Sequence, residues 1–223
     1  MIGAGQVYID DRIADKPGSL YPATANIRFK ERCPYVSRGG LKLEKGLVHF
    51  RINPDNWTCI DIGASTGGFT DCLLQHNARK VYAIDVAYGQ LSWKIRQNSK
   101  VVVLERFNAR NISREDIHQE EIDLAVMDVS FISITALLPS LVRLFQKQVT
   151  ILALIKPQFE LPRDSVGNGG VVTDPALHQQ ATEKILHFIE GLELISLGVI
   201  PSPILGPKGN REFLILITSR PSS

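Results

Sequence analysis

The stretch Ile60-Asp61-Ile62-Gly63-Ala64-Ser65-Thr66-Gly67-Gly68-Phe69 decides the fold. Together with Thr58 and Cys59 it opens as a short apolar run, which reads as a buried strand over Thr58–Ile62. The run then enters Asp-x-Gly-x-x-x-Gly-Gly, and helical spacing begins at 66 and lasts to 75. Glycines at such a bend let backbone approach a ligand where a Cβ would collide. In open α/β sheets ligands sit beyond the carboxyl ends of the strands, which is where this loop falls.

Working outward, strands and helices alternate. Residues 38–50 have helical spacing, with Leu41, Leu47 and Val48 on one side. Lys80–Asp85 reads as the second strand, 90–98 as a helix and 101–104 as the third strand. A short helix is expected over 113–118 with Ser113 as its cap, then a fourth strand at 123–128, a helix at 133–145 and a fifth strand at 149–155 stopped by Pro157. Asp174 and Pro175 open a long helix over Pro175–Glu190. Strands at 194–200 and 212–218 complete seven. Near-continuous apolar strands separated by helices imply an α/β fold, its mainly parallel sheet covered on both faces.

Residues 5–31 differ. They offer short strands at 6–10 and 26–30, with turns at Asp10-Asp11 and Lys16-Pro17-Gly18, too little chain to bury a core of its own. The expected organisation is a fragment at 1–31, a linker at 32–37 and the main domain at 38–223.

The 223 residues are 44% hydrophobic with a net charge of +2, and the mean hydropathy is near zero. This composition suits a globular domain with a proper core. No window approaches the ~18 apolar residues of a membrane span, and the first thirty residues lack the pattern of a signal peptide. A cytoplasmic protein without a membrane partner is expected. The mild charge does not by itself mark a nucleic-acid binder. Cys33, Cys59 and Cys72 lack the spacing of a disulfide framework or zinc site, and Cys59 reads as a core residue. The five histidines show no metal spacing, so no metal site is expected.

Asp85 ends the second strand, roughly 20 residues past the glycine turn, where an acid accepts hydrogen bonds from ribose hydroxyls. The spacing G-x-x-x-G-G led by Asp61 departs from the G-x-G-x-x-G of dinucleotide sites. It resembles the first motif of class I methyltransferases, Rossmann-like enzymes that bind S-adenosylmethionine. That resemblance implies S-adenosylmethionine as cofactor, contacted by Asp61, Gly63, Ala64, Ser65, Gly67, Gly68, Phe69, Asp85, Asn108 and Asp128.

Four polar residues stand at selected places: Lys42 in the helix before the first strand, Asp128 ending the fourth, Lys156 ending the fifth, and Glu212 beginning the last. In a class I methyltransferase the last strand runs antiparallel, so its beginning lies at the edge where the other strands end. All four can then converge. This resembles the Lys-Asp-Lys-Glu arrangement of FtsJ-type RNA 2′-O-methyltransferases. The segments Ser37-Arg38-Gly39-Gly40-Leu41-Lys42-Leu43, Asp128-Val129-Ser130-Phe131-Ile132-Ser133, Ile155-Lys156-Pro157-Gln158-Phe159-Glu160 and Gly169-Gly170-Val171-Val172 are similar to the TlyA branch, whose members are rRNA 2′-O-methyltransferases, many labelled haemolysins.

The resemblance implies methyl transfer to the ribose 2′-hydroxyl of a cytidine in the rRNA of ribosomal subunits. It further implies that residues 1–31 are the remnant of an RNA-binding module of the ribosomal-protein S-four type. Lys42, Asp128, Lys156 and Glu212 would be catalytic. Lys156 would act as general base, held partly neutral by burial and by Lys42, while Asp128 and Glu212 orient the lysines and the hydroxyl. A sulfonium methyl is already electrophilic, so no metal is required.

Arg28, Lys30, Arg32, Arg38, Lys45 and Arg51 offer one RNA-facing edge, which would position a backbone without reading sequence. The polar, Gly-rich stretch 163–172 reads as a loop able to fold over substrate. Base methylation fits less well, because Asp128-Val129-Ser130-Phe131 has neither the prolines of amino-group methyltransferases nor a nucleophilic cysteine. A membrane-active haemolysin lacks a long amphipathic segment. A non-catalytic RNA-binding protein would have no use for the tetrad.

Overall fold

In the computed structural model, described for residues 2, 7–14, 16–29, 33–167 and 169–220, the chain forms two compact units, Met1–Pro34 and Tyr35–Ser223. The smaller holds a three-stranded antiparallel sheet of β1 (Val7–Ile9), β2 (Arg12–Ile13) and β3 (Ile27–Phe29) in the order β2-β1-β3. Asp10 and Asp11 both adopt left-handed backbone, with φ of 46° and 65°, the conformation of a two-residue hairpin turn. The Asp10 carboxylate accepts the Asn26 N–H at 2.9 Å, and Arg28 pairs with Asp11. Val7, Ile9 and Ala14 are buried together with Ile2 and Ala25 packed against them, so this short unit does gather a small apolar cluster. The strand β2 was not expected. Gln6, Lys30 and Arg32, named in the sequence reading, lie outside the described residues.

The larger unit contains a seven-stranded sheet: β4 (Thr58–Ile62), β5 (Lys80–Asp85), β6 (Val101–Glu105), β7 (Leu124–Met127), β8 (Thr150–Ile155), β9 (Leu194–Pro201) and β10 (Phe213–Ser219). Its order is β6-β5-β4-β7-β8-β10-β9. Pairing is parallel from β6 to β8, while β10 runs antiparallel to both β8 and β9. Among the described residues six α-helices accompany it: α1 (Gly39–His49), α2 (Gly68–Gln75), α3 (Trp93–Arg96), α4 (Leu138–Val142), α5 (Pro157–Glu160) and α6 (Pro175–Glu190).

Alternation along the strands feeds two cores. Ile60 and Ile62 pack with Leu141 of α4 and Ile185 of α6 on one face. Cys59 packs on the other with Leu43 and Leu47 of α1 and Phe69 of α2. Chain order reverses between β4 and β7, since β5 and β6 lie to one side of β4 while β7 and β8 lie to the other. A crevice opens beyond the carboxyl ends of strands at such a switch point. Gly63 and Asp128 follow these two strands.

Four expected elements differ. In α1 the buried positions are Gly40, Lys42, Leu43, Gly46 and Leu47, whereas Val48 is 69% exposed; the inward stripe is set by the close contact of Gly40 with the Tyr35 ring and of Gly46 with Leu152. Residues 113–118 form turns, because the Asp116 carboxylate takes both the N–H and the hydroxyl of Ser113 and leaves no free cap; His118 and Gln119 then turn left-handed. The helix expected at 90–98 shrinks to α3, preceded by Ser92 with extended backbone. The helix expected at 133–145 splits into a 3-10 turn at Ile134–Ala136 and α4, where Pro139 has no N–H to continue the first ladder.

Candidate active site

The glycine turn behaves as its spacing demands. Gly63 has φ of +80°, and a Cβ there would stand 2.7 Å from the Asp128 carbonyl oxygen. Gly67, at φ of +94°, caps α2, and a Cβ on Gly68 would collide with the Ser37 hydroxyl and approach the Gly40 nitrogen. Gly63 thus brings β4 and β7 together at their ends, while Gly68 brings α1 and α2 together. Ala64 is buried with Ala83, Leu91 and Ile95. The Phe69 ring packs in the core between α1 and the sheet, and Phe69 also borders a hollow beside Gly68.

Asp61 is fully buried at the end of β4. Its Oδ2 accepts the Thr70 hydroxyl at 2.6 Å, while Oδ1 has no hydrogen-bond partner. Burial pushes its carboxyl up to about 7, opposed by the Thr70 hydrogen bond and reinforced by the negative Asp128. A buried acceptor without a partner costs free energy unless a donor arrives.

Beyond Ile62 and Gly63 lies a cavity of about 430 Å³, bounded also by Ser65, Asp85, Asn108 and Val129, within the range of nucleoside-sized sites. The Asp85 carboxylate accepts Ser65 N–H at 2.7 Å on one oxygen and Ala87 N–H at 2.8 Å on the other. It therefore shapes the rim, and its remaining lone pairs can accept ribose hydroxyls. Asn108 caps a 3-10 turn by accepting the Arg110 N–H at 3.1 Å. The orphaned Asp61 oxygen, the cradle closed to a Cβ at Gly63 and the acid on the rim suit a cofactor with a cationic amino acid end and a nucleoside end.

A second hollow of about 400 Å³ shares Gly63, Ser65, Asp128 and Ser130 with the first and is lined also by Lys42 and Lys156. Here three of the sequence-predicted polar residues, Lys42, Asp128 and Lys156, meet, with Glu212 buried behind Lys42. The Lys42 ammonium stands 2.6 Å from Glu212 Oε2 and 3.7 Å from Asp128 Oδ2. The Lys156 ammonium stands 2.6 Å from Asp128 Oδ1 and donates to Ser130 Oγ at 2.9 Å. Two cations and two anions thus alternate along a chain Lys156–Asp128–Lys42–Glu212. Lys42, Lys156 and Glu212 are buried, and opposite charge at close range is what makes such burial tolerable. Glu212 immediately precedes β10, and its second oxygen lies against Gly206, where a Cβ would stand 2.0 Å away.

Three neighbours were quoted in the sequence reading without a role. Ser130 is the hydroxyl partner of Lys156. Phe131 is 90% exposed at the mouth of the first cavity, with left-handed backbone at φ of 66°. Such a conformation in a bulky residue is a local signal, though one visible only in three dimensions. Glu160 is buried at the end of α5. Among the expected RNA-facing residues, Arg38 donates to the Leu205 carbonyl at 3.1 Å, while Lys45 and Arg51 are exposed. In the loop at 163–172, the end at 169–172 is held: Asn210 bonds Val172 N–H and the Gly170 carbonyl, and Lys208 donates to the Gly169 carbonyl.

A seven-stranded sheet of this order, with a glycine turn at its switch point and an acid on the next strand, defines a Rossmann-like methyltransferase whose cofactor is S-adenosylmethionine. The chain belongs to the FtsJ-like methyltransferase family, which it matches over residues 35–218. The 16S/23S rRNA (cytidine-2′-O)-methyltransferase TlyA of Mycobacterium tuberculosis is 43% identical over 223 residues, covering 99% of this chain and 82% of that one. A hemolysin-labelled structure from Streptococcus thermophilus is 40% identical with a TM-score of 0.84, covering 99% of this chain and 81% of that chain. A SAM-dependent methyltransferase of Aquifex aeolicus shares the fold alone, at 17% identity and a TM-score of 0.57, covering 82% of this chain and 93% of that chain.

Proposed function

We propose that the protein methylates the ribose 2′-hydroxyl of a cytidine in rRNA. The observation that carries this reading is the alternating chain Lys156–Asp128–Lys42–Glu212 in a hollow that opens onto the cofactor cavity. The M. tuberculosis relative, named for this reaction, supports it. Among the described residues no helix is long and apolar enough to cross a membrane, and the hemolysin label brings no structural counterpart here. A cytoplasmic location, where ribosomal subunits are found, accompanies the proposal.

A ribose hydroxyl is a poor nucleophile and must give up its proton as it attacks. Lys156 receives that proton as general base. Asp128 holds the Lys156 nitrogen from one side and, through its other oxygen, faces Lys42. Glu212 anchors Lys42, whose positive charge steadies the oxygen as it loses its proton. S-adenosylmethionine, when bound, supplies a methyl on a sulfonium, so that an O–C bond forms as the C–S bond breaks and its electron pair returns to sulfur. Gly63, Gly67, Ser65 and Asp85 would hold its two ends, with Asn108 at the adenine side. The orphaned Asp61 oxygen would accept from its amino group, and Ala64, Gly68 and Phe69 would support the turn from behind. Holding hydroxyl, base and methyl in line provides much of the acceleration. DNA is excluded as acceptor, because it lacks the 2′-hydroxyl.

The unit of residues 1–34, with Arg12 and Arg28, is proposed to add phosphate contacts that position the RNA. The deciding experiment is transfer of labelled methyl from S-adenosylmethionine to unmethylated ribosomal subunits, followed by nucleoside analysis. Label recovered as 2′-O-methylcytidine establishes the reading. Label in a methylated base, or in no RNA while the cofactor binds, overturns it.

A further inference from the structure

Lys156 is buried, and among the described residues its two polar partners are Asp128 and Ser130. A neutral amine nitrogen is tetrahedral. One direction is the bond to Cε, two are N–H bonds and the last is the lone pair. Asp128 Oδ1 lies 2.6 Å away as an ion pair but has no hydrogen-bond partner among the described residues, so Ser130 Oγ at 2.9 Å is the acceptor that takes an N–H direction and narrows those left to the lone pair. Asp128 alone would leave the nitrogen free to rotate about the Cε bond. The serine removes that freedom.

Ser130 lies in an exposed loop after β7, and a loop hydroxyl fixes nothing unless the loop is itself held. Glu160 does this. It closes α5, the helix for which Lys156 is the N-terminal cap. Its buried carboxylate accepts the Ile134 N–H at 2.9 Å on one oxygen and the Ser133 hydroxyl on the other. Lys184 of α6 balances its charge at 3.3 Å and bonds its carbonyl oxygen at 2.6 Å. One short helix therefore carries Lys156 at its start and, at its end, the carboxylate that grips the segment following Ser130.

We propose that Ser130 is a positioning residue that holds the Lys156 nitrogen and narrows its lone-pair direction, and that Glu160 holds the Ser130 loop to the helix of Lys156. The inference rests on Lys156 as the base of the proposed reaction. An amine whose lone pair wanders meets the hydroxyl in line less often, and misplacement of this order costs up to about 100-fold in rate.

The test compares the full-length wild type with Ser130→Ala, Ser130→Thr and Glu160→Gln in single-turnover methyl transfer to unmethylated rRNA. Ser130→Ala is expected to slow transfer about 10- to 100-fold, with cofactor Kd and RNA KM changed by less than about threefold. Ser130→Thr restores most of the rate, because its hydroxyl still accepts. Glu160→Gln falls between, since its amide oxygen still accepts from Ile134 while its NH2 cannot accept from Ser133. A second readout needs no RNA: the Lys156 amine resonance in ¹⁵N-lysine-labelled protein should show slow proton exchange in the wild type and in Ser130→Thr, lost in Ser130→Ala. Wild-type rate and an unchanged resonance in Ser130→Ala, or an equal loss in Ser130→Thr, would overturn the proposal. A wild type silent on rRNA would count against the reaction, and the resonance then decides the positioning by itself.

Discussion

Lys156, at the end of β8, faces Asp128, at the end of the neighbouring parallel strand β7, across 2.6 Å. Proximity of this kind is compatible with a purely structural ion pair, and the arginine variant separates the two roles. Lys156→Arg keeps the charge beside Asp128 but cannot shed a proton at working pH. It should fold with near wild-type stability and lose methyl transfer by about 10²- to 10⁴-fold, the usual worth of a general base. Retained transfer in Lys156→Arg would remove Lys156 from the base role.

Glu212 is 1% exposed and has Lys42 as its counter-charge. Lys42→Met strands a buried carboxylate, at a cost of about 3–5 kcal/mol. Replacing both, as Lys42→Met with Glu212→Gln, should recover a good part of that loss in urea unfolding while methyl transfer stays absent. Equal stability of the single and double variants would show that the pair is not coupled.

Asp61 gives a pH signature. Its unfolded value is near 3.8 and its folded value about 7. Between these the folded state keeps a proton that the unfolded chain has lost, so this group's contribution to stability falls as pH rises from about 4 to 7 and levels off above. The span corresponds to a loss on the order of 4 kcal/mol. Asp61→Asn should lack that slope. A cationic amino group arriving at Oδ1 favours the carboxylate, so cofactor binding near pH 6.5 should release protons in the wild type and not in the variant. Calorimetry in buffers of different ionisation enthalpy reads this directly.

Gly63 and Gly89 both have positive φ, at 80° and 72°, but only Gly63 has a neighbour in the path of a Cβ. Gly89→Ala should cost about 1 kcal/mol from backbone strain and leave cofactor affinity intact. Gly63→Ala should cost more and weaken cofactor binding, because it pushes β4 and β7 apart at their ends. Comparable cofactor titrations for the two variants would refute the distinction.

Phe131 combines 90% exposure with left-handed backbone. Phe131→Gly should relieve about 1 kcal/mol of strain and leave the melting temperature unchanged or raised. If the ring serves RNA at the cavity mouth, methyl transfer to rRNA falls while the fold gains. An unaltered rate would assign the ring to its contact with Phe159, 5.2 Å away between centroids.

The sheet and the tetrad were legible because their signals are local. Strong apolar strands end in Asp61, Asp85, Asp128 and Lys156, and strand ends are where an α/β sheet gathers its chemistry. What stayed hidden depends on partners far along the chain or on competing side chains. The segment 113–118 carries a cap residue, yet Asp116 claims it. β2 is two exposed residues long and exists because the Asp10-Asp11 turn folds it onto β1. The bond from Lys156 to Ser130 joins residues that follow different strands, and no spacing within either segment announces it.

The placement of β10 orders events during synthesis. Within the large sheet, β9 has β10 as its neighbour, although β10 is made later. The emerging chain can therefore assemble the strands from β4 to β8 and must leave β9 waiting until the segment behind it slips into the gap. Glu212 arrives with that same segment. An unfinished polypeptide would hold Lys42 without its anchor, and catalytic competence would appear in one late step. Under the proposed reaction, an enzyme that modifies ribosomes stays inert on the ribosome that is making it until this closing strand has been released.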